Sequence, residues 1–366
     1  MRRMEESVGG KPQVILVKEA TMKKGKKSSL WLLGLICLLG LSSLPAYAQT
    51  ARPGVTGSVE ETQILLNFLE NERDYFHKGG PFVITAPELR TNLLTKPQAQ
   101  YVIDLRSPQA FAKGHIRGSK NVDFKELYQH VKQLNAPSYE RIVVICFAGQ
   151  ASAYAVSLLR AAGYANAVSL KWGISSWAAV FAQESWLRNL SSMRIPEFVH
   201  TPSPPKNPKG QLPPLATGKT KPQEILEARI HTLFAEGFAP VMLGHCCVFN
   251  QWYCDGNYYV VNYWPTELYE KIGHVPGAVN YPPKEQPFRS ATHLLTLSTK
   301  NPNIIYCYNG QTSAYAAGYL RILGYDARSL LFGANGIIYD RMRENKIENT
   351  FIPDTEIMNY DYVSGN

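Results

Sequence analysis

From Val143 to Tyr164 the chain reads VVICFAGQASAYAVSLLRAAGY, and 161 residues later, from Ile304 to Tyr325, it reads IIYCYNGQTSAYAAGYLRILGY. Aligned on Cys146 and Cys307, the nineteen residues from each cysteine to Tyr164 or Tyr325 agree at eleven positions. No other feature constrains the fold as strongly. The chain must contain the same unit twice, each with a cysteine closing an apolar run, then a Gly-Gln loop, then a helix.

Residues 1–48 are read as a leader outside that organisation. MKKGKKSSLWLLGLICLLGLSSLPAYA, from Met22 to Ala48, has a basic start, a twelve-residue apolar centre and a small-x-small end, the pattern of a secretory signal peptide. A bilayer span needs roughly 20 apolar residues, so a retained anchor fits less well. Met22 is read as the translation start, and Cys37 is lost with the signal. The expectation is a periplasmic or secreted protein with no membrane span after cleavage.

The remaining 318 residues suit two domains, each long enough to bury a core. The +9 charge of the whole chain is inflated by the leader. Beyond residue 48 there are 30 basic and 26 acidic side chains, a net +4. No basic run or aromatic-basic interleaving points to a nucleic-acid partner.

The boundaries follow from composition. Residues 49–80 form a helical extension, with Ile64, Leu65, Phe68 and Leu69 at helical spacing. Residues 81–195 are the first domain, 196–221 a Pro-, Lys- and Gly-rich linker with few apolar residues able to join a core, 222–350 the second domain and 351–366 a tail. In the first domain PFVI, YVIDL, RIVVIC and AVSL read as strands, TAPELRTNLL and ASAYAVSLLRAA as helices, the latter stopping at Gly163. This alternation predicts an α/β fold in each copy, a mainly parallel sheet flanked by helices.

A cysteine ending a central strand, followed by a tight loop and a helix, sits at the carboxyl edge of the sheet, where such folds place ligands. Successive loop N–H groups can converge on the sulfur and the helix start adds positive potential, which together favour a thiolate or the outer sulfur of a persulfide. Gly149 and Gly310 let the backbone curl, and Ser152 and Ser313 stand where a hydroxyl caps the helix or touches the sulfur.

The order YVIDLRS, GHIRGSKNV, VVICFAGQAS resembles the rhodanese superfamily, and VVNYWP, GHVPGAVN, IYCYNGQTS resembles a second copy. The resemblance implies two rhodanese-like domains in tandem. It also implies a sulfurtransferase in which Cys146 and Cys307 carry a sulfane sulfur, as a persulfide, from a small sulfur-containing donor to a thiol or other nucleophilic acceptor. The implied substrate-binding residues are Phe147, Ala148, Gly149, Gln150, Ala151 and Ser152 in one loop and Tyr308, Asn309, Gly310, Gln311, Thr312 and Ser313 in the other. Tandem members often use only the carboxyl-terminal copy, which ranks Cys307 above Cys146. No organic cofactor and no metal is implied.

Two departures refine this. Thiosulfate-using members carry basic side chains beside the cysteine, whereas Phe147, Ala148, Tyr308 and Asn309 leave only backbone amides for a dianion, which favours a polysulfide, persulfide or protein donor. Related phosphatase and arsenate-reductase loops have an arginine six residues after the cysteine, and Ser152 and Ser313 there argue against phosphoryl chemistry.

Other residues take blander readings. Asp104 and Arg106, replaced by Asn262 and Trp264 in the second copy, read as a structural ion pair or loop hydrogen bonds, and His115 and His274 as satisfied structural histidines. The bland reading of Cys146 and Cys307 is a small buried hydrophobe. The group GHCCVFNQWYC has no counterpart in the first copy. Cys246 or Cys247 paired with Cys254 is expected in an oxidising compartment, ahead of redox use of the vicinal pair and of a zinc site with His245. The rival functions are a non-catalytic rhodanese-like binding protein for an anion or partner, and a periplasmic thiol redox protein built on Cys246, Cys247 and Cys254.

Overall fold

The computed structural model describes residues 57–78, 81–249 and 257–365. The leader and Cys254 lie outside the described residues. Among those described, no helix is long and apolar enough to cross a membrane.

Two five-stranded sheets share one plan. In the first, β1 (Val83–Ile84), β2 (Gln100–Asp104), β3 (Lys120–Asn121), β4 (Arg141–Ile145) and β5 (Ala167–Leu170) lie in the order β1-β5-β4-β2-β3, with every pairing parallel. In the second, β6 (Met242–Leu243), β7 (Tyr259–Asn262), β8 (Val279–Asn280), β9 (Asn303–Tyr306) and β10 (Ala327–Leu330) repeat that order as β6-β10-β9-β7-β8, again all parallel. The central strands read as unbroken apolar runs because helices cover both faces of the sheet: Ile142, Val143, Val144 and Ile145 are all fully buried. The α/β architecture expected from the strand–helix alternation is the one observed.

The helices that follow the two cysteines, Gln150–Ala162 and Gln311–Ile322, pack on each other and join the inner faces of both sheets in one core. Their crossing is close enough to exclude a side chain at Gly318, where a Cβ would meet Ser157 Cβ at 2.6 Å.

The two halves also exchange their flanking segments. Helix Val59–Asn67 and the turn after it precede the first sheet but lean on the second half, where Tyr75 stacks on Tyr319 at 4.9 Å and Glu70 accepts the Ser290 N–H at 2.8 Å. Helix Pro222–Glu236 precedes the second sheet and leans on the first half. There Phe234 stacks on Tyr128, and Glu227 accepts from Lys132 Nζ at 2.6 Å and from the Tyr128 hydroxyl.

At the other ends, Val199, just after the first domain, bridges to His274 of the second. Val363, near the carboxyl terminus, bridges to His115 of the first. The segment expected to be a linker poor in core residues is therefore laid onto the molecule. Phe198, Leu212 and Leu215 are buried, and Glu61 accepts from the Thr217 N–H at 2.9 Å and its hydroxyl at 2.6 Å. Three apolar side chains suffice because each finds a ready apolar surface, while the prolines between them keep the backbone extended at little entropic cost.

Candidate active site

Strand β4 runs out at Ile145 and leaves Cys146 at the carboxyl edge of its sheet; β9 ends at Tyr306 and leaves Cys307 in the same place. The chain then reverses into a helix. Gly149 and Gly310 make that possible with φ of 89° and 79°, the left-handed conformation that side chains disfavour. The turn aims main-chain amides inward. Cys146 Sγ accepts from the N–H of Gly149 at 3.1 Å and of Ser152 at 3.4 Å, with Ser152 Oγ 3.4 Å away. Cys307 Sγ accepts from Gly310 at 3.2 Å and Ser313 at 3.3 Å, with Ser313 Oγ at 3.4 Å. Each serine hydroxyl is also tied to a second serine at the next strand, Ser169 or Ser329, at 2.8 Å. Both sulfurs are therefore held in a polar cradle at a helix start, and both cysteines are free thiols.

The loop carbonyls are turned away by residues that sequence reasoning missed. Ser175 Oγ donates to Phe147 O at 2.9 Å and Trp186 Nε1 to Ala148 O at 3.2 Å; Asn335 Nδ2 donates to Tyr308 O at 2.7 Å. For Ser175 and Asn335 the signal was the segment after the last strand of each copy, GISSW and FGANG, whose polar residues have no role within a strand or helix; Trp186, in the later helix Trp186–Asn189, left no such signal.

Two expected site residues are placed differently. The side chains of Gln150 and Gln311 are not at the sulfur. Gln150 Nε2 donates to Leu330 O at 3.3 Å and its Oε1 accepts from Phe332 N–H at 3.1 Å. Gln311 Nε2 donates to Gly149 O and Leu170 O, each at 3.2 Å, and its Oε1 accepts from Trp172 N–H at 2.9 Å. Each glutamine crosses to the other half and satisfies main-chain groups beside the opposite loop, because the paired helices bring their first turns together. Neither side chain is available to a ligand, and the Gln311 N–H is itself taken by Asn309 Oδ1 at 3.0 Å.

The surroundings of the loops diverge. Beside the first, Arg106 is engaged through its Nε and Nη2. It binds Asp104 through Nε and Nη2 at 2.7–3.0 Å, donates to Gly114 O at 2.7 Å, and lies against the rings of Phe147 and Phe181. Beside the second, Trp264 stacks under Tyr308 at 5.5 Å, and Asn262 joins Asn280 and the Tyr306 hydroxyl at 2.9 and 2.8 Å. Burial pushes the Tyr308 and Tyr263 phenols well above their ordinary pKa, and the nearby Cys307 adds to it, so both are neutral hydroxyls.

His115 and His274 stack on Phe111 and Tyr269 at 3.7 and 3.6 Å, with Nδ1 at the main-chain oxygen of the same residue. They hold the loops before β3 and β8. Cys247 lies partly buried in helix His245–Phe249, while the side chains of Cys246 and Cys254 lie outside the described residues.

The chain is similar to known proteins of one family. The Rhodanese-like domain model matches residues 85–180 and again 255–337. Thiosulfate sulfurtransferase GlpE of Ectopseudomonas mendocina is 35% identical over 102 residues, covering 27% of this chain and 84% of that protein. Among solved structures, a rhodanese-related protein of Thermoplasma volcanium is 32% identical with a TM-score of 0.23, covering 28% of this chain and 92% of its own. The 3-mercaptopyruvate sulfotransferase SseA of Escherichia coli is 16% identical with a TM-score of 0.25, covering 70% and 98%.

Proposed function

The chain belongs to the rhodanese-like family and carries the family's domain twice, and from that premise we propose that it is a sulfurtransferase working through cysteine persulfides on Cys146 and Cys307. The observation that carries the reading is the cradle itself: two main-chain N–H groups and a serine hydroxyl within 3.1–3.4 Å of each sulfur. In the forward step a cysteine thiolate attacks the outer sulfur of the donor. The new S–S bond forms as the donor's own S–S bond breaks, and the electron pair leaves on the donor's inner sulfur. An acceptor nucleophile then attacks the outer sulfur and restores the thiolate. No oxidant is consumed. The amides stabilise the charge wherever it rests, as they would an oxyanion.

The donor we favour is a polysulfide or persulfide. Thiosulfate carries two charges, and Arg106, the basic side chain that lies against the first loop, is neutralised by Asp104. The acceptor is a thiol or another thiophilic nucleophile. We infer a location outside the cytoplasm after removal of residues 1–48, and what supports it is the basic start, short apolar centre and small-x-small end of residues 22–48. In such a compartment a disulfide among Cys246, Cys247 and Cys254 persists, and what supports it is that Cys247 is disulfide-bonded.

Mass spectrometry of the protein, incubated separately with polysulfide and with thiosulfate, tests the proposal. The expected result is one added sulfur mapped to Cys146 or Cys307, formed faster from polysulfide. No adduct on either residue of folded protein would overturn it, and an adduct confined to Cys246 or Cys254 would favour the thiol redox alternative.

A further inference from the structure

We propose that Asn309 closes the second loop against incoming sulfur, so that Cys146 is the sulfur-receiving site and Cys307 is loaded only when the Asn309 side chain moves aside. The inference rests on the sulfur-transfer reading above and deepens it by separating the two cysteines.

The loops share their turn, their two amide-to-sulfur bonds and their serine, and differ in kind two residues after the cysteine, where the first has Ala148 and the second Asn309. The difference is chemical. Asn309 Oδ1 accepts the Gln311 N–H at 3.0 Å and the Cys307 thiol at 3.7 Å, while its Nδ2 donates to Gln311 Oε1 at 3.5 Å. The side chain is folded in, with the residue 5% exposed. A carboxamide oxygen thus sits in the amide-lined space that the outer, negatively charged sulfur of a persulfide would need, and it already uses one of the donors. Its lone pairs would also repel that sulfur. Ala148 carries no acceptor, so nothing equivalent occupies the Gln150 N–H, and the first loop keeps that donor for a ligand.

The covers differ in the same sense. Phe147 is 38% exposed over the first loop, whereas Tyr308 is half-buried and stacked on the fully buried Trp264 over the second. Cys146 is 6% exposed and Cys307 2%. Geometry therefore points away from the ranking by which the carboxyl-terminal copy does the work. Asn309 is a specificity-determining residue that acts by competing for the Gln311 amide.

Losing one such hydrogen bond is worth about 1 to 1.4 kcal/mol, or roughly five- to tenfold in rate. The test is the initial rate of sulfur addition from sodium polysulfide, mapped separately to Cys146 and Cys307. Wild type should load Cys146 at least several-fold faster. Asn309→Ala should raise the Cys307 rate by roughly five- to tenfold and bring the ratio toward parity. Ala148→Asn should lower the Cys146 rate by a similar factor, and it probes the idea independently should the first variant fail to fold. Equal loading of the two cysteines in wild type, or a ratio that neither substitution moves, would overturn the inference while leaving sulfur transfer intact. Sulfur on neither cysteine in any variant would overturn sulfur transfer itself, and the inference with it.

Discussion

Beneath the first cysteine loop the polar groups at the strand ends are charged, and beneath the second they are neutral. Asp104 and Arg106 form a bidentate pair with side chains 0% and 1% exposed. Asn262, Asn280 and Tyr306 fill the corresponding space with three uncharged hydrogen-bonding groups. Both networks hold the same main-chain turn, so the turn does not depend on charge. What differs is the cost of failure. A buried charge that loses its partner pays the full desolvation of an ion, whereas a buried amide that loses a partner pays only for one unmade hydrogen bond.

The largest expected effect breaks this comparison directly. Arg106→Ala leaves the Asp104 carboxylate buried and unpaired, and should destabilise the protein by about 3–5 kcal/mol. Asn262→Ala should cost about 1–3 kcal/mol. Denaturant unfolding of the two variants measures both. An Asn262 variant that is the more damaged of the two would show that the neutral network, and not the ion pair, anchors its half.

The loops themselves were legible in the sequence because everything they require is local. A strand that ends, the cysteine after it, a glycine at positive φ and a serine at the helix start lie within eight residues. Asp104 and Arg106 were legible as an ion pair for the same reason. The exchange of segments was not. Leu65 and Leu69 before the first domain, and Leu226, Ile230 and Leu233 before the second, show helical spacing that predicts a buried face, but spacing does not say which half buries it. The glutamines show the same limit. A sequence places Gln150 and Gln311 in the loop, but the direction of a side chain is set by the packing of two helices far apart in the chain. Asn309 is the subtler case. Its position was read as substrate-binding, and only the folded-in carboxamide shows a side chain standing where a substrate would.

The crossed glutamines allow a sharper comparison, since the two are equivalent by repeat and unequal in bonding. Gln311 satisfies two carbonyls and one N–H of the first half, and Gln150 one carbonyl and one N–H of the second. Gln311→Ala should therefore cost about 1–3 kcal/mol and Gln150→Ala about 1 kcal/mol. Both should reduce sulfur transfer less than Cys→Ser at the receiving sulfur, because the side chains hold the opposite loop and touch no sulfur. Unfolding and sulfur-transfer assays on the same samples separate the two effects. Equal costs would mean that the main-chain groups left by Gln311 find water.

The smallest effect concerns the two exchanged carboxyl-terminal arms, one ending at His115 and the other at His274. Burial lowers the His274 pKa; the main-chain oxygen of Tyr269 opposes that shift, and His200 nearby reinforces it. The folded protein thus binds less proton at this site than the unfolded chain does, so the site's contribution to stability rises with pH. That contribution is complete above the ordinary histidine value of about 6.5 and is lost as the pH falls toward the lowered one. Thermal unfolding between neutral and mildly acidic pH should show a falling midpoint, and His274→Gln, which cannot take up a proton, should make the fall shallower. Some slope will remain, because burial also lowers His130 and His245. The strand-like bridge between Val199 and His274 depends on the main chain alone. Acid should therefore loosen the second half's arm through the ring stacked on Tyr269 and not through the bridge, and a His274→Gln variant with an undiminished slope would show that the ring is not the acid-sensitive element.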